Sequence, residues 1–196
     1  FGGLSTADKL VELWLPQTSR FRLAALILDD GAIVTLAPST ALKWTTYGSS
    51  ITQRGAAQSP AYTWPSIVAR VHGLDLTCLG FGGQCHLDPM IARVIRDTPA
   101  DAVTACAGIN IQGGATLGPR TFQPAIIGTT RAAREKHPKI PIGVISPIFS
   151  PPREEKPNAV GFSLQGMRVE VEAAVEALRS CGDQNVHYFS GLDVFG

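Results

Sequence analysis

No run in this sequence is long and apolar enough to cross a bilayer, which takes about 20 residues, and no charged-then-apolar leader opens it. Its first residue is Phe1 rather than Met, as in a processed or truncated product, so a missing leader leaves cytoplasmic and secreted settings both open. Charge is sparse and balanced. The 17 basic and 16 acidic side chains give a net charge of +1 with no basic block, so the footprint of a nucleic-acid or anionic-membrane binder is lacking. Cysteine is scarce as well: Cys78, Cys85, Cys106 and Cys181 are far apart and form no Cys-x-x-Cys pair. That argues against a zinc site and a disulfide scaffold, and the four are expected to be small buried apolar groups. No metal or cofactor is expected. What remains is 44% hydrophobic and 17% charged, a globular composition sufficient for one domain and an appendage.

The appendage comes first. Residues 9–15, 21–28 and 32–36 are short apolar runs bounded by Pro16 and by the hairpin signal Asp30-Gly31, and they read as strands. So few strands are not stable alone, so the segment is expected to lie on the following domain or to end a larger β domain. Ala37-Pro38-Ser39-Thr40 then reads as a linker, which divides the chain into residues 1–40 and 41–196.

From residue 41 onward, strand and helix patterns alternate. Strands are expected at Trp44–Tyr47, Leu74–Leu79, Asp101–Ala107, Ile140–Ser146 and Val186–Phe189. Between them, apolar residues recur at helical spacing, with Asp88-Pro89 starting one helix and Gly73 and Gly182 ending two others. Leu164, Met167, Val171, Val175 and Leu178 share one helical face, with Arg168, Glu172, Glu176 and Arg179 around the other. This alternation predicts an α/β fold, a five-stranded parallel sheet with helices on both faces, preceded by a short β segment. Ligands of such sheets bind beyond the carboxyl ends of the strands.

At that edge stands Trp44-Thr45-Thr46-Tyr47-Gly48-Ser49-Ser50-Ile51-Thr52, a strand that stops at a glycine before two hydroxyl residues. A strand–turn–helix of this kind lifts a hydroxyl clear of the sheet, and Ser50 is the candidate nucleophile. An α/β-hydrolase elbow is disfavoured because Thr52 stands where its second glycine belongs. A flavodoxin-like nucleotide binder is weakened by the lack of a glycine-rich phosphate cradle after the first strand. Leu79-Gly80-Phe81-Gly82-Gly83 follows the second strand and Gly108-Ile109-Asn110 the third.

With these three blocks, residues 42–196 resemble the SGNH, or GDSL-type, hydrolases. Ser50, Gly83 and Asn110 match the first three letters of that name in order. Ser49 replaces the usual Asp, as in members reading Gly-Ser-Ser that also carry Leu-Gly-Phe-x-Gly. The resemblance implies a flavodoxin-like sheet and a serine esterase for carboxylic (acyl or acetyl) esters of small molecules. It further implies an oxyanion hole made by the N–H groups of Ser50 and Gly83 and the Asn110 amide. Some members carry an N-terminal β-sandwich, whose last strands residues 1–40 resemble. The family's closing Asp-x-x-His, its base and orienting group, is missing: Asp193 has no His three residues on. A C-terminally incomplete domain of low activity is therefore expected, with apolar surface left open where a last helix would lie.

Alternatives are an acyltransferase and a non-catalytic binding module on the same fold. His86 is expected to line the mouth of the site, Asp88 to cap a helix, and His72 and His137 to lie at the surface. His187 is expected to be packed within a strand, and Arg153-Glu154-Glu155-Lys156 to be a solvated loop that could rim the pocket.

Overall fold

Lys43–Gly48, a run of aromatic and β-branched residues, forms β1, and every residue after Lys43 is buried. A computed structural model describes residues 7–37 and 39–194. It adds β2 (Asp75–Gly80), β3 (Ala102–Cys106), β4 (Ile142–Ile145) and β5 (Val186–Phe189). All pair in parallel, in the order β2-β1-β3-β4-β5, the five-stranded α/β sheet expected. The helices are α1 (Ser50–Gln53), α2 (Trp64–His72), α3 (Pro89–Asp97), α4 (Ile109–Gly114), α5 (Pro119–Arg134), α6 (Leu164–Ser180) and α7 (Gly191–Val194).

One face of the sheet carries the core. Tyr47, Val103, Ile142, Val144 and Val186 point into it and meet Ile95 of α3, Phe122 and Ile126 of α5, and Leu164, Met167 and Val171 of α6. Alternation sends the neighbouring residues to the other face. There Trp44 packs in a tilted arrangement, at 6.0 Å between ring centroids, against Trp64 of α2 and donates its indole N–H to Thr104 Oγ1 at 3.0 Å. At the far end of that face His187 is exposed and Phe189 is 48% exposed, so His187 is not packed as expected.

Several elements depart from the sequence expectation. Residues 9–15, 21–28 and 32–36 form no strand, although the Asp30-Gly31 turn closes with Ala32 N–H donating to Asp29 O at 3.0 Å. Strand propensity is met only when a neighbour supplies the ladder, and these runs have none; Ile27 and Leu36 are each 96% exposed. The short β segment expected before the sheet is therefore not formed among the described residues. Pro38 of the expected linker and Phe195-Gly196 lie outside the described residues. Cys78 and Cys181 are exposed, unlike the buried Cys85. Asp88 sits at the N-cap of α3, but its side chain makes no capping bond. His137 is buried and its Nε2–H donates to Ile95 O at 3.3 Å, a contact to α3 that the sequence of α5 does not reveal.

Thr45 is fully buried in β1, and its hydroxyl has no hydrogen-bond partner among the described residues. An unpaired buried hydroxyl carries its desolvation cost with nothing to offset it. Thr45→Val should therefore be neutral or stabilising by about 1 kcal/mol in urea unfolding. A loss of more than about 1 kcal/mol would mean that the hydroxyl has a partner.

Candidate active site

Parallel register sets Gly48, Gly80 and Cys106 at one level across the sheet, so the residues after β1, β2 and β3 leave from a common edge. After β1 the chain turns at Ser49, which is buried and extended. Its Oγ accepts the Ile51 N–H at 3.2 Å and its carbonyl accepts the N–H groups of Thr52 and Gln53, each at 3.0 Å. Ser49 is thus the N-cap of α1. Ser50 is the first helical residue and is exposed, and no group among the described residues bonds its hydroxyl or its N–H. The turn divides two adjacent serines into a structural one and a presented one.

This turn needs glycine at its floor. A Cβ on Gly80 would lie 2.3 Å from the Gln53 nitrogen, so α1 can rest on the end of β2 only without a side chain there. The same packing brings the next loop to the serine: a Cβ on Gly82 would lie 3.7 Å from the Ser50 Cβ.

The loop after β2 is pinned amide by amide. Gly82 N–H donates to Gln53 Oε1 at 2.8 Å and Gln84 N–H to Phe81 O at 3.1 Å. Cys85 N–H donates to Asn110 Oδ1 and Leu87 N–H to the Tyr47 hydroxyl, both at 3.1 Å. Gly83 stands between these bonds with φ +73, a left-handed value that favours glycine, and its N–H has no partner among the described residues. Because Cys85 N–H is a donor, the atom facing it must be the Asn110 oxygen, which turns the Asn110 amide nitrogen the other way. That nitrogen also has no partner among the described residues. Asn110 is held where β3 passes into α4 by Gly108, at φ +138, where a Cβ would strike Pro147 Cγ at 2.3 Å.

His86 holds the loop from the other side. Gly83 O can only accept, so the ring nitrogen 3.0 Å from it, Nε2, carries the proton, and Nδ1 accepts the Thr116 hydroxyl at 2.9 Å. Both nitrogens are engaged, one by Gly83 and one by Thr116, so His86 clamps the loop that carries Gly83. The other histidines are His72 at the end of α2, buried His137 and exposed His187. Burial pushes the Cys85 thiol up to about 11 and the Cys106 thiol up to about 12, so neither is a thiolate near neutral pH. Among the described residues no group of His, Cys, Asp or Glu could hold a metal ion.

In the loop after β4, Arg153, Glu155 and Lys156 are exposed as expected, whereas Glu154 is half-buried. Glu154 is paired through both carboxylate oxygens with Arg168, which is 7% exposed and also donates from Nε to Pro147 O at 2.9 Å. Arg168 thus belongs to the buried side of α6, not its polar face. Asn158 Nδ2 fastens the same loop to α4 through Gln112 O at 2.8 Å. Gln53, Tyr47 and this ion pair are the supports that sequence reasoning missed, since each has its partner on another element.

The family model for the GDSL-like lipase/acylhydrolase family matches residues 43–196. Among solved structures, the salicylyl-acyltransferase SsfX3 from a tetracycline biosynthetic pathway shares 38% identity at a TM-score of 0.78, over 86% of this chain and 48% of that one. A Bacteroides ovatus protein, provisionally a GDSL-like lipase, shares 22% at 0.64, over 79% and 44%. A family 2 carbohydrate esterase of Corynascus thermopiles with a carbohydrate-binding domain shares 16% at 0.62, over 82% and 60%. The last two likenesses show the fold alone. The chain spans about half the length of the first two structures. No curated protein matches its sequence.

Hydrogen bonds from Arg168 hold the Glu154 carboxyl below its ordinary range. A depressed acid contributes stability above its unfolded pKa, about 4.3, and that contribution is lost as pH falls through the folded value. Glu154→Gln should therefore cost about 2–4 kcal/mol in urea unfolding at neutral pH, with the gap to the parent narrowing below about pH 4. Equal stability at neutral pH, or a gap that widens on acidification, would contradict this.

Proposed function

The chain belongs to the GDSL-like lipase/acylhydrolase family, and from that premise we propose that it is a serine esterase acting on small-molecule carboxylic esters, with Ser50 as nucleophile. The Ser50 oxygen attacks the ester carbonyl, the alkoxide leaves as the alcohol, and water then releases the acid from acyl-Ser50. Negative charge on the carbonyl oxygen would be met by Ser50 N–H, Gly83 N–H and the Asn110 amide nitrogen.

One observation carries this reading. The three groups named are donors without a partner among the described residues, while the amides around Gly83, at Gly82, Gln84 and Cys85, are all bonded. Donors fixed in place and left open are what oxyanion stabilisation requires, since no reorganisation is then needed during reaction. The proton of Ser50 needs an acceptor other than His86, whose ring nitrogens are both occupied. By resemblance to the family, that role falls to an Asp-x-x-His following β5, which residues 191–194 do not supply.

Acyl transfer is the second reading, favoured by the 38% identity to a salicylyl-acyltransferase. It differs only in the last step, where an alcohol replaces water. Adding a primary alcohol to the ester assay separates the two, because a transferase yields the new ester in preference to the acid. We also assign residues 1–40 to a unit distinct from 41–196, a β-sandwich end whose neighbouring strands would cover Ile27 and Leu36.

In a form of the protein that carries the base, Ser50→Ala should abolish hydrolysis of a short p-nitrophenyl ester and labelling by a fluorophosphonate. Ser49→Ala should keep most turnover while losing about 1 kcal/mol of stability with its cap. Equal loss of turnover in both, or none for Ser50→Ala, would overturn the assignment, and a parent that resists labelling would favour the binding module. Asn110→Asp keeps an acceptor for Cys85 N–H but replaces the donor with a negatively charged oxygen, so kcat should fall by at least about 10²–10³ with KM little changed. A change confined to KM would make Asn110 a substrate-positioning residue.

A further inference from the structure

Gln53, the last residue of α1, makes two hydrogen bonds that neither the fold nor the proposed chemistry accounts for. Its Oε1 accepts Gly82 N–H at 2.8 Å, and its Nε2 donates to the backbone carbonyl of Gln17 at 2.8 Å. The side chain is half-buried, and both partners are main-chain groups that permit only one orientation of the amide. A carbonyl at Gln17 demands the nitrogen on that side, which leaves the oxygen facing Gly82.

From this geometry we infer that Gln53 is a positioning residue for the Gly83 oxyanion donor, and that residues 14–18 belong to the active-site wall. The inference rests on the reading of Gly83 N–H as an oxyanion donor. Gly82 and Gly83 are adjacent glycines in a turn closed by Gln84 N–H to Phe81 O, and glycine leaves the backbone free to rotate unless something holds it. His86 holds the Gly83 carbonyl, which fixes the peptide plane after that residue. The Gly83 N–H belongs to the preceding peptide, between Gly82 and Gly83, and Gln53 fixes the Gly82 nitrogen from which that peptide is carried.

The brace is rooted in the nucleophile's own helix, so Ser50 and Gly83 are referenced to the same short element. Its other end reaches the segment before the sheet. Gln17 Nε2 donates to Ala57 O at 3.4 Å, and Arg70 of α2 lies 5.6 Å from the Trp14 ring and 5.8 Å from the Tyr62 ring. Residues 14–18 are thus seated against the loop that follows the nucleophile, while Ile27 and Leu36 of the same segment stand clear in solvent.

Misplacing a donor by about 1 Å can cost up to 10²-fold in rate, whereas binding of the ground state depends little on it. The test compares Gln53→Met, which removes both bonds, with Gln53→Glu, which keeps an acceptor for Gly82 N–H but replaces the donor to Gln17 with an oxygen that must turn from that carbonyl to solvent. With a p-nitrophenyl ester and a form of the protein that carries the base, Gln53→Met should lower kcat by about 10- to 100-fold with KM within about twofold, and Gln53→Glu should recover most of that loss. Amide hydrogen exchange reads the brace without turnover: Gly82 should exchange at least about tenfold faster in Gln53→Met and near the parent rate in Gln53→Glu. Full kcat in Gln53→Met, equal losses in the two variants, an effect confined to KM, or unchanged Gly82 exchange would each overturn the inference. Ser50→Ala beside them separates the two levels: if it retains the parent's turnover the esterase reading fails, and if it is inactive while Gln53→Met is not, only the role of Gln53 fails.

Discussion

Cys85 donates its backbone N–H to the side-chain oxygen of Asn110 at 3.1 Å, and through that bond the loops after β2 and β3 become one surface. Two consequences follow from a single contact. The loop amide is satisfied without water, and the carboxamide is turned so that its nitrogen lies away from Cys85, with no partner among the described residues. A neutral amide can do this where a carboxylate or an ammonium cannot, because it accepts on one side and donates on the other. The Gly83 N–H is left open by the same logic, since each neighbouring amide has its own partner. The site is defined less by what it contains than by which donors remain after the scaffold has taken its share.

The sheet makes that arrangement possible by register. With Gly48, Gly80 and Cys106 level, three loops share one edge, and the small α1 can sit on it because β2 ends in glycine. The supports then spread outward. Tyr47 reaches from β1 to Leu87 N–H, and the Arg168–Glu154 pair ties the loop after β4 to α6 and to Pro147 O. Asn158 closes the ring by holding that loop to α4. Each support joins elements distant in sequence, so the site edge is cross-linked by polar contacts in addition to the apolar core that Cys85, Leu87 and Ile111 enter from the same edge.

Much of this was legible in the sequence because it is local. A strand former run into Gly-Ser-Ser, a glycine pair after a second strand and an asparagine after a third place Ser50, Gly83 and Asn110 at one edge once the fold is α/β. The rest depended on partners that sequence spacing does not name. Arg168 falls on the polar side of a helical wheel, yet its pair lies 14 residues away in a proline-rich loop. Gln53 sits in a polar stretch that reads as loop, and its partners are 29 and 36 residues distant. The opposite error arose in residues 9–36, where apolar runs met the local requirement for strands but not the tertiary one, a neighbour to pair with. Ser49 and Ser50 could be ranked from sequence, but only the cap bond to Ile51 gives the reason.

The central claim is that Ser50 N–H, Gly83 N–H and the Asn110 amide nitrogen converge on one oxygen. It is tested most directly by a crystal structure of the protein after phosphonylation of Ser50 by a p-nitrophenyl phosphonate. The non-bridging phosphoryl oxygen is expected to lie about 2.7–3.1 Å from all three nitrogens, with the Cys85–Asn110 bond unbroken. A phosphoryl oxygen turned to solvent, or an Asn110 side chain that swings away from Cys85 to meet it, would contradict the claim.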